Sequence, residues 1–238
     1  MRTGRDSPPG RDSSAEKTET GGVARNLILS GGPFHDFDAT SAALAETLAE
    51  VGVESEITED IAGALAEPSE VQLITVNALR WRMGLDRFAD IRERWGFALP
   101  AQARTTLLDH LERGGGLLCM HAASICFDDW QGWPRVLGGC WTWPKSHHPP
   151  LGWTGVRVHG GHPIVDGLRD FDVVDEVYSD LEIMPDVRPL ASADGQPLVW
   201  ARQVRRGRLV YDALGHDTRS YANEVHRSLL QRAALGLL

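Results

Sequence analysis

The chain has 238 residues, 42% of them hydrophobic and 24% charged, with a formal net charge of -9. Those are ordinary globular proportions, and the length fits one sizeable α/β domain or two small ones. The acidic balance and the lack of a basic cluster argue against nucleic acid as a partner, and no apolar run is long enough to span a bilayer.

Residues 1–24 are polar, with Pro8-Pro9, several glycines and serines, and mixed charge. They bury too little apolar area to offset the entropy of ordering, so a disordered N-terminal tail is expected. Arginines stand near the N-terminus without an apolar stretch behind them, so a secretory signal is not expected. Cys119, Cys126 and Cys140 are odd in number and lack the spacing of paired zinc cysteines. They read as reduced thiols of a cytoplasmic protein. Residues 25–238 read as one domain, without a second linker or internal repeat.

That domain opens with Asn26-Leu27-Ile28-Leu29-Ser30, a buried strand that stops at Gly31-Gly32-Pro33. Asp38 or Thr40 is the expected cap of the next helix, which carries Ala43, Leu44, Leu48 and Val51 on one face. Strands are expected over 53–58 and 71–76. A helix over 101–113 buries Leu107, Leu108 and Leu111 and ends at Gly114-Gly115-Gly116. The strand Leu117 to Met120 follows. This alternation predicts a doubly wound, mostly parallel sheet with helices on both faces. Later segments are richer in strand: 155–159, 173–177, 198–204 and 208–213, the last two joined by a hairpin turn at Arg205-Arg206-Gly207. A final helix is expected over 221–237, burying Val225, Leu229, Ala233 and Leu237. Two long connections, 77–100 and 127–151, exceed what a minimal sheet needs, and such connections are usually functional or mobile.

Two histidines stand where strands run out, His121 after Leu117-Leu118-Cys119-Met120 and His216 after Arg208 to Gly215. Sheets of this kind gather ligands at the carboxyl ends of their strands, and imidazole moves protons near neutral pH or binds metals. Each ring could equally do no more than hydrogen-bond a loop. Small residues after His121 allow a sharp turn that holds the side chain above the sheet. Asp217 either orients His216 or caps the last helix. Five of the eight tryptophans, Trp130, Trp133, Trp141, Trp143 and Trp153, flank His147-His148-Pro149-Pro150. They either stack on sugar rings and cations or pack a long loop or a subunit contact, which leaves a homodimer open. Asp175, Glu176 and Tyr178 either accept sugar hydroxyls or form a solvated acidic turn. The loop Gly31-Gly32-Pro33-Phe34-His35-Asp36 lacks the glycine spacing of a dinucleotide fingerprint, and Pro33 removes an amide donor, but His35 can still line a site.

Taken together, several stretches resemble the ThuA-like family, named for trehalose utilisation. They are Gly116 to Ala123, Leu137-Gly138-Gly139 leading to His147-His148, His162 to Leu168, Asp175-Glu176-Val177-Tyr178, Pro197 to Trp200, and Gly207 to His216. They keep the family's order across roughly residues 26 to 238. The resemblance implies a flavodoxin-like fold akin to class I glutamine amidotransferases, and a link to disaccharide or 3-keto-glycoside catabolism. Those amidotransferases place a nucleophilic cysteine at the strand–helix turn and a His-x-Glu pair later. Here His121 holds the turn, Cys119 lies two residues back, and Thr218 stands two residues after His216, which argues against a thiol glutaminase.

The expectation is therefore a cytoplasmic protein that hydrolyses or cleaves a disaccharide or keto-sugar. His121 and His216 are its acid/base groups or, with His148, ligands of a divalent zinc or manganese ion. His35, Trp141, Trp143, His147, Asp175, Glu176, Tyr178 and Asp217 are its expected substrate contacts. The alternative is a non-catalytic carbohydrate-binding or regulatory protein on the same fold.

Overall fold

A computed structural model of the chain describes residues 23–67 and 70–238. The expected N-terminal tail lies outside these except for Val23 and Ala24, and Ala24 already opens the first strand. In chain order come β1 (Ala24–Gly31), α1 (Phe37–Ala49), β2 (Val53–Thr58), α2 (Ile61–Ala64), β3 (Leu73–Ala78), α3 (Ala89–Trp95), α4 (Ala101–Glu112) and β4 (Gly116–Met120). They are followed by α5 (Trp133–Leu137), β5 (Gly139–Cys140), β6 (Gly152–Val158), β7 (Phe171–Asp175), β8 (Glu182–Ile183), β9 (Pro189–Ala193), β10 (Gln196–Val204), β11 (Gly207–Asp212), α6 (Thr218–Tyr221) and α7 (Glu224–Leu237).

Nine strands form one sheet in the order β2-β1-β3-β4-β11-β10-β9-β6-β7. The first five are mutually parallel and have the flavodoxin-like order. From β10 onward every pairing is antiparallel. The continuous apolar runs of β3 and β4 are buried throughout, as strands covered on both faces must be. Edge strand β2 exposes Glu54 and Glu56 instead. The β1–β2 and β3–β4 crossovers run in opposite directions along the sheet, so right-handed connections put α1 and α4 on opposite faces.

The antiparallel half does not continue flat. In sheet order β7 lies four places from β11, about 19 Å away at the usual strand spacing. Yet Asp175 at the end of β7 accepts a hydrogen bond from Gly215 N, just past β11, at 2.7 Å. Asn223 Nδ2 also donates to Asp172 O at 2.8 Å, and the Phe171 ring stacks on His226 with centroids 6.4 Å apart. The sheet therefore curls until its last strand packs against α6 and α7.

Three local readings are corrected. The cap of α1 is Asp36, whose side chain accepts from Ala39 N, and neither Asp38 nor Thr40. The final helix is broken: Asp217 caps the short α6, and Asn223 caps α7 by accepting from Val225 N and His226 N. The third strand starts at Leu73, two residues later than expected. Within α7, Leu229, Ala233 and Leu237 are buried as expected, while Val225 is half-buried.

His226 is fully buried, with Nε2 2.9 Å from Asp212 Oδ2 and Nδ1 3.0 Å from Ser220 Oγ. Burial opposes the charged ring, but the facing Asp212 carboxylate outweighs it and lifts His226 above its ordinary pKa. The stability contributed by the charged ring is complete below the unfolded histidine pKa of about 6.5 and is lost as pH rises through the higher folded value. The difference in unfolding free energy between wild type and His226→Asn, measured by urea titration, should shrink from pH 6 to pH 9. A difference that grows with pH contradicts the assignment.

Candidate functional site

Four chain segments bring side chains to one end of the sheet. The loop after β1 supplies His35, the turn after β4 His121, the segment after β7 Glu176, and the loop after β11 His216. One ligand atom from each lies within 4.8 Å of the other three. The ring centroids are 4.6 Å apart for His35–His216, 5.0 Å for His35–His121 and 5.5 Å for His121–His216.

Local backbone explains each placement. Gly32 has φ +141, and a Cβ there would sit 2.4 Å from Leu79 O, so only glycine lets the His35 loop lie against β3. Beneath that loop, Asn77 Nδ2 donates to Thr40 and Ser41, and Ser41 bonds Ser30, which ties β1 and β3 to the start of α1. His121 itself takes a positive φ of 40, a conformation uncommon for a side-chain-bearing residue. Tyr211 holds it by donating from its hydroxyl to His121 O at 2.9 Å. The expected turn into a helix is only a single 3₁₀ turn over His121–Ser124. His121 Nδ1 donates to Ala213 O at 2.6 Å, which orients the ring and turns Nε2 toward Glu176 Oε2, 3.7 Å away.

The electrostatics follow from this crowding. His121 Nε2, His35 Nε2 and His216 Nδ1 are buried without a hydrogen-bond partner. His216 Nδ1 is only 3.1 Å from Glu176 Oε2 but is poorly aligned on it, so the contact is an ion pair rather than a hydrogen bond. Desolvation, then the neighbouring His121 and His216, push the His35 pKa down to about 3, so this ring is neutral. The Glu176 carboxylate raises the pKa of His216 against the effect of burial. Burial alone would raise the Glu176 pKa, but the rings of His121 and His216 beside it hold the carboxyl well below its usual range. Imidazole nitrogens without a hydrogen bond, next to a carboxylate in a buried pocket, are a donor set that could hold a divalent metal ion. Donors around one ion at roughly 2.1 Å lie about 3–4 Å apart, so only a small contraction would be needed.

Above this floor is a cavity of about 390 Å³, within the usual range for small-molecule sites. Trp141, Trp143 and Tyr178 form part of its wall, with His148, and Phe34, Trp81, Arg87 and Phe88 form another part. Ring contacts link the floor to the wall: Tyr178 to His121 at 4.3 Å, Trp141 to Tyr178 at 5.0 Å, and Trp143 to Trp141 at 5.3 Å.

Several sequence expectations change. His35 and Glu176, expected to touch substrate, join the donor cluster, whereas His148 lies outside it. His148 Nδ1 is 3.3 Å from Glu176 Oε1, and the ring is half-exposed on the cavity wall. His147 turns outward toward Lys145 O and Asp180 and is absent from the wall. Asp217 is occupied by its capping bond and by Arg219. Asp175 is buried and both of its carboxylate oxygens face backbone amides: Oδ1 accepts from Glu176 N at 2.8 Å and His216 N at 3.3 Å, and Oδ2 from Gly215 N. Cys119 is fully buried inside β4, where burial raises its thiol pKa far above the ordinary value. Trp133 is a core residue that donates to Ala123 O, and Trp153 is exposed on β6. Sequence reasoning missed Arg87 and Phe88. The available signal was the excess length of the 77–100 connection.

Fold and site together describe a flavodoxin-like α/β domain with a histidine–glutamate cluster at the strand ends. A family model described as ThuA, trehalose utilisation, matches residues 25–235, and the chain belongs to that family. Among solved structures, a ThuA-like protein from Parabacteroides merdae ATCC 43184 has a TM-score of 0.72 at 18% identity, covering 90% of this chain and 89% of its own. A cytoplasmic protein from Salmonella typhimurium LT2 has a TM-score of 0.63 at 14% identity, covering 90% and 99%. The GH42 β-galactosidase Gan42B from G. stearothermophilus shares the fold over 30% of its length, with 90% of this chain covered, 13% identity and a TM-score of 0.55. No curated protein is similar enough in sequence to count as a relative. Among the described residues, no helix is long and apolar enough to cross a membrane.

Asp175→Ala would leave the Gly215 and Glu176 amides without their charged acceptor. Bonds to charged groups contribute about 1.5–3 kcal/mol each and unpaired buried donors are costly, so a loss of about 3 kcal/mol in urea unfolding is expected. A loss below about 0.5 kcal/mol, within the range of an ordinary surface substitution, contradicts the role given to this carboxylate.

Proposed function

We propose that this protein is a sugar-processing enzyme that hydrolyses or otherwise cleaves a disaccharide or 3-keto-glycoside. In this reading His35, His121, Glu176 and His216 hold a divalent ion, zinc or manganese, at the floor of the cavity. The observation that carries it is the convergence of three buried imidazole nitrogens that make no hydrogen bond and one carboxylate. Membership in a family described by trehalose utilisation supports the sugar. A bound divalent ion would supply Lewis-acid polarisation of a substrate oxygen.

The chain's own residues divide the remaining work. The indole faces of Trp141 and Trp143 offer flat apolar surfaces to the C–H bonds of a sugar ring. His148 replaces His121 and His216 as the proton-moving group, because those two face the ion. Its Nδ1 is directed to Pro149 O and Glu176, leaving Nε2 to exchange a proton with a substrate oxygen. Tyr178 remains a neutral phenol, since burial and then the nearby Tyr211 raise its pKa well above the ordinary value. The three unpaired cysteines suit a reducing compartment, which supports a cytoplasmic location.

Purified protein should retain one equivalent of zinc or manganese by elemental analysis, and chelation should abolish 3-keto-glycoside cleavage until metal is restored. His121→Ala, His216→Ala and Glu176→Gln should lose both metal and turnover. His148→Ala should keep the metal while kcat falls by roughly 10²–10⁴-fold. Turnover that survives chelation contradicts the proposal. Sugar binding without turnover of any tested sugar would support the non-catalytic alternative.

A further inference from the structure

The same cavity contains one cation with no assigned work. Arg87 lies on the cavity wall with its guanidinium carbon 4.4 Å from the Trp143 ring centroid and 4.8 Å from that of Phe88. Those two rings are themselves 6.0 Å apart, so the guanidinium sits in an aromatic notch. It makes no hydrogen bond or ion pair among the described residues, not even with its chain neighbours Asp86 and Asp90. Other arginines of the chain do have acid partners: Arg80 has Glu59, Arg82 has Asp128, and Arg202 has Asp186.

With two rings inclined at 61° to each other beside it, the guanidinium is held without using its N–H donors on any oxygen of the described residues. Those donors form a fork that matches a carboxylate or phosphate. The notch also reduces the rotamer freedom that an exposed arginine would lose on binding. The chain carries a net charge of -9, and among the described residues Arg87 is the one arginine or lysine on the wall of this cavity. Between Arg87 and the histidine floor stand Trp143, Trp141 and Tyr178 in consecutive ring contact. The cavity therefore has a metal-type donor cluster at one end, aromatic surface between, and an unneutralised cation at the other.

We infer that the substrate is an anionic sugar derivative, whose carboxylate or phosphate pairs with Arg87 while the ring carbon framework lies on the indoles. This rests on the reading of the cavity as a sugar site and narrows its substrate class. The neutral tryptophans give specificity for a sugar face, and Arg87 gives specificity for charge.

The test is calorimetric titration of the metal-loaded protein with glucose, glucuronate and glucose 6-phosphate, in wild type, Arg87→Ala and Arg87→Lys. Wild type should bind at least one anionic probe about 10–100-fold more tightly than glucose, as expected for a charge-assisted fork. The probe that gains shows whether carboxylate or phosphate is taken. Arg87→Ala should bring the three probes within about twofold of one another without changing metal content, and Arg87→Lys should restore part of the preference. Glucose binding as tightly as both anions overturns the inference and leaves the sugar reading standing. An anion preference that survives in Arg87→Ala also overturns it, since the floor would then be binding the anion. No binding of any probe by protein that retains its metal overturns both.

Discussion

The site depends on one buried carboxylate that joins the two halves of the sheet. Asp175 ends the outermost strand of the antiparallel half and binds the amides of Gly215 and His216, which follow the last strand of the parallel half. The curl that makes this contact possible brings Glu176, one residue further on, against His121 and His216. Without that closure the parallel strands would present three histidines, and the carboxylate would stand at a distant edge. The same closure explains why the loop after β11 needs glycine at 215: its φ is +113, and a Cβ would lie 2.7 Å from the Tyr221 hydroxyl.

Crowding of like groups then sets the chemistry of the floor. Three imidazoles with centroids within 5.5 Å cannot all be charged in a buried pocket. The protein resolves this by keeping His35 neutral and placing the ionised Glu176 against His216 and His121. A neutral ring with a free nitrogen is what metal ligation requires, and is of little use to a group that must carry a proton. His148 stands on the open side of the carboxylate, with Nδ1 3.3 Å from Glu176 Oε1. His121 has the further constraint that the bond from Nδ1 to Ala213 O orients the opposite nitrogen inward, the arrangement common to metal-binding histidines.

Much of the fold was legible in the residues, and the reasons are specific. The apolar runs ending at Gly31 and Met120 and the amphipathic stretch 101–113 mark strands and a helix directly, because their burial is two-sided or one-sided in the expected period. Strand β9, Pro189-Leu190-Ala191-Ser192-Ala193, has no β-branched residue and gave no such signal. His121 and His216 could be read as site residues because each follows a parallel strand. Asp175 and Glu176 are adjacent in sequence and look alike there. Only the curl of the sheet shows that one is a structural tie and the other faces the cavity. His147 and His148 are likewise indistinguishable by composition, and it is backbone direction that sends one ring outward and the other in. Arg87 carried no signal of its own in the sequence, and only the fold of the long 77–100 connection sets it against Trp143.

The central claim, that the four donors hold one divalent ion, is tested most directly by anomalous diffraction at the zinc or manganese edge from crystals of metal-loaded protein. The account predicts a single strong peak within roughly 2.0–2.3 Å of His35 Nε2, His121 Nε2, His216 Nδ1 and a Glu176 oxygen. A floor with no peak, or a peak held by His147 or another surface group instead, would contradict it.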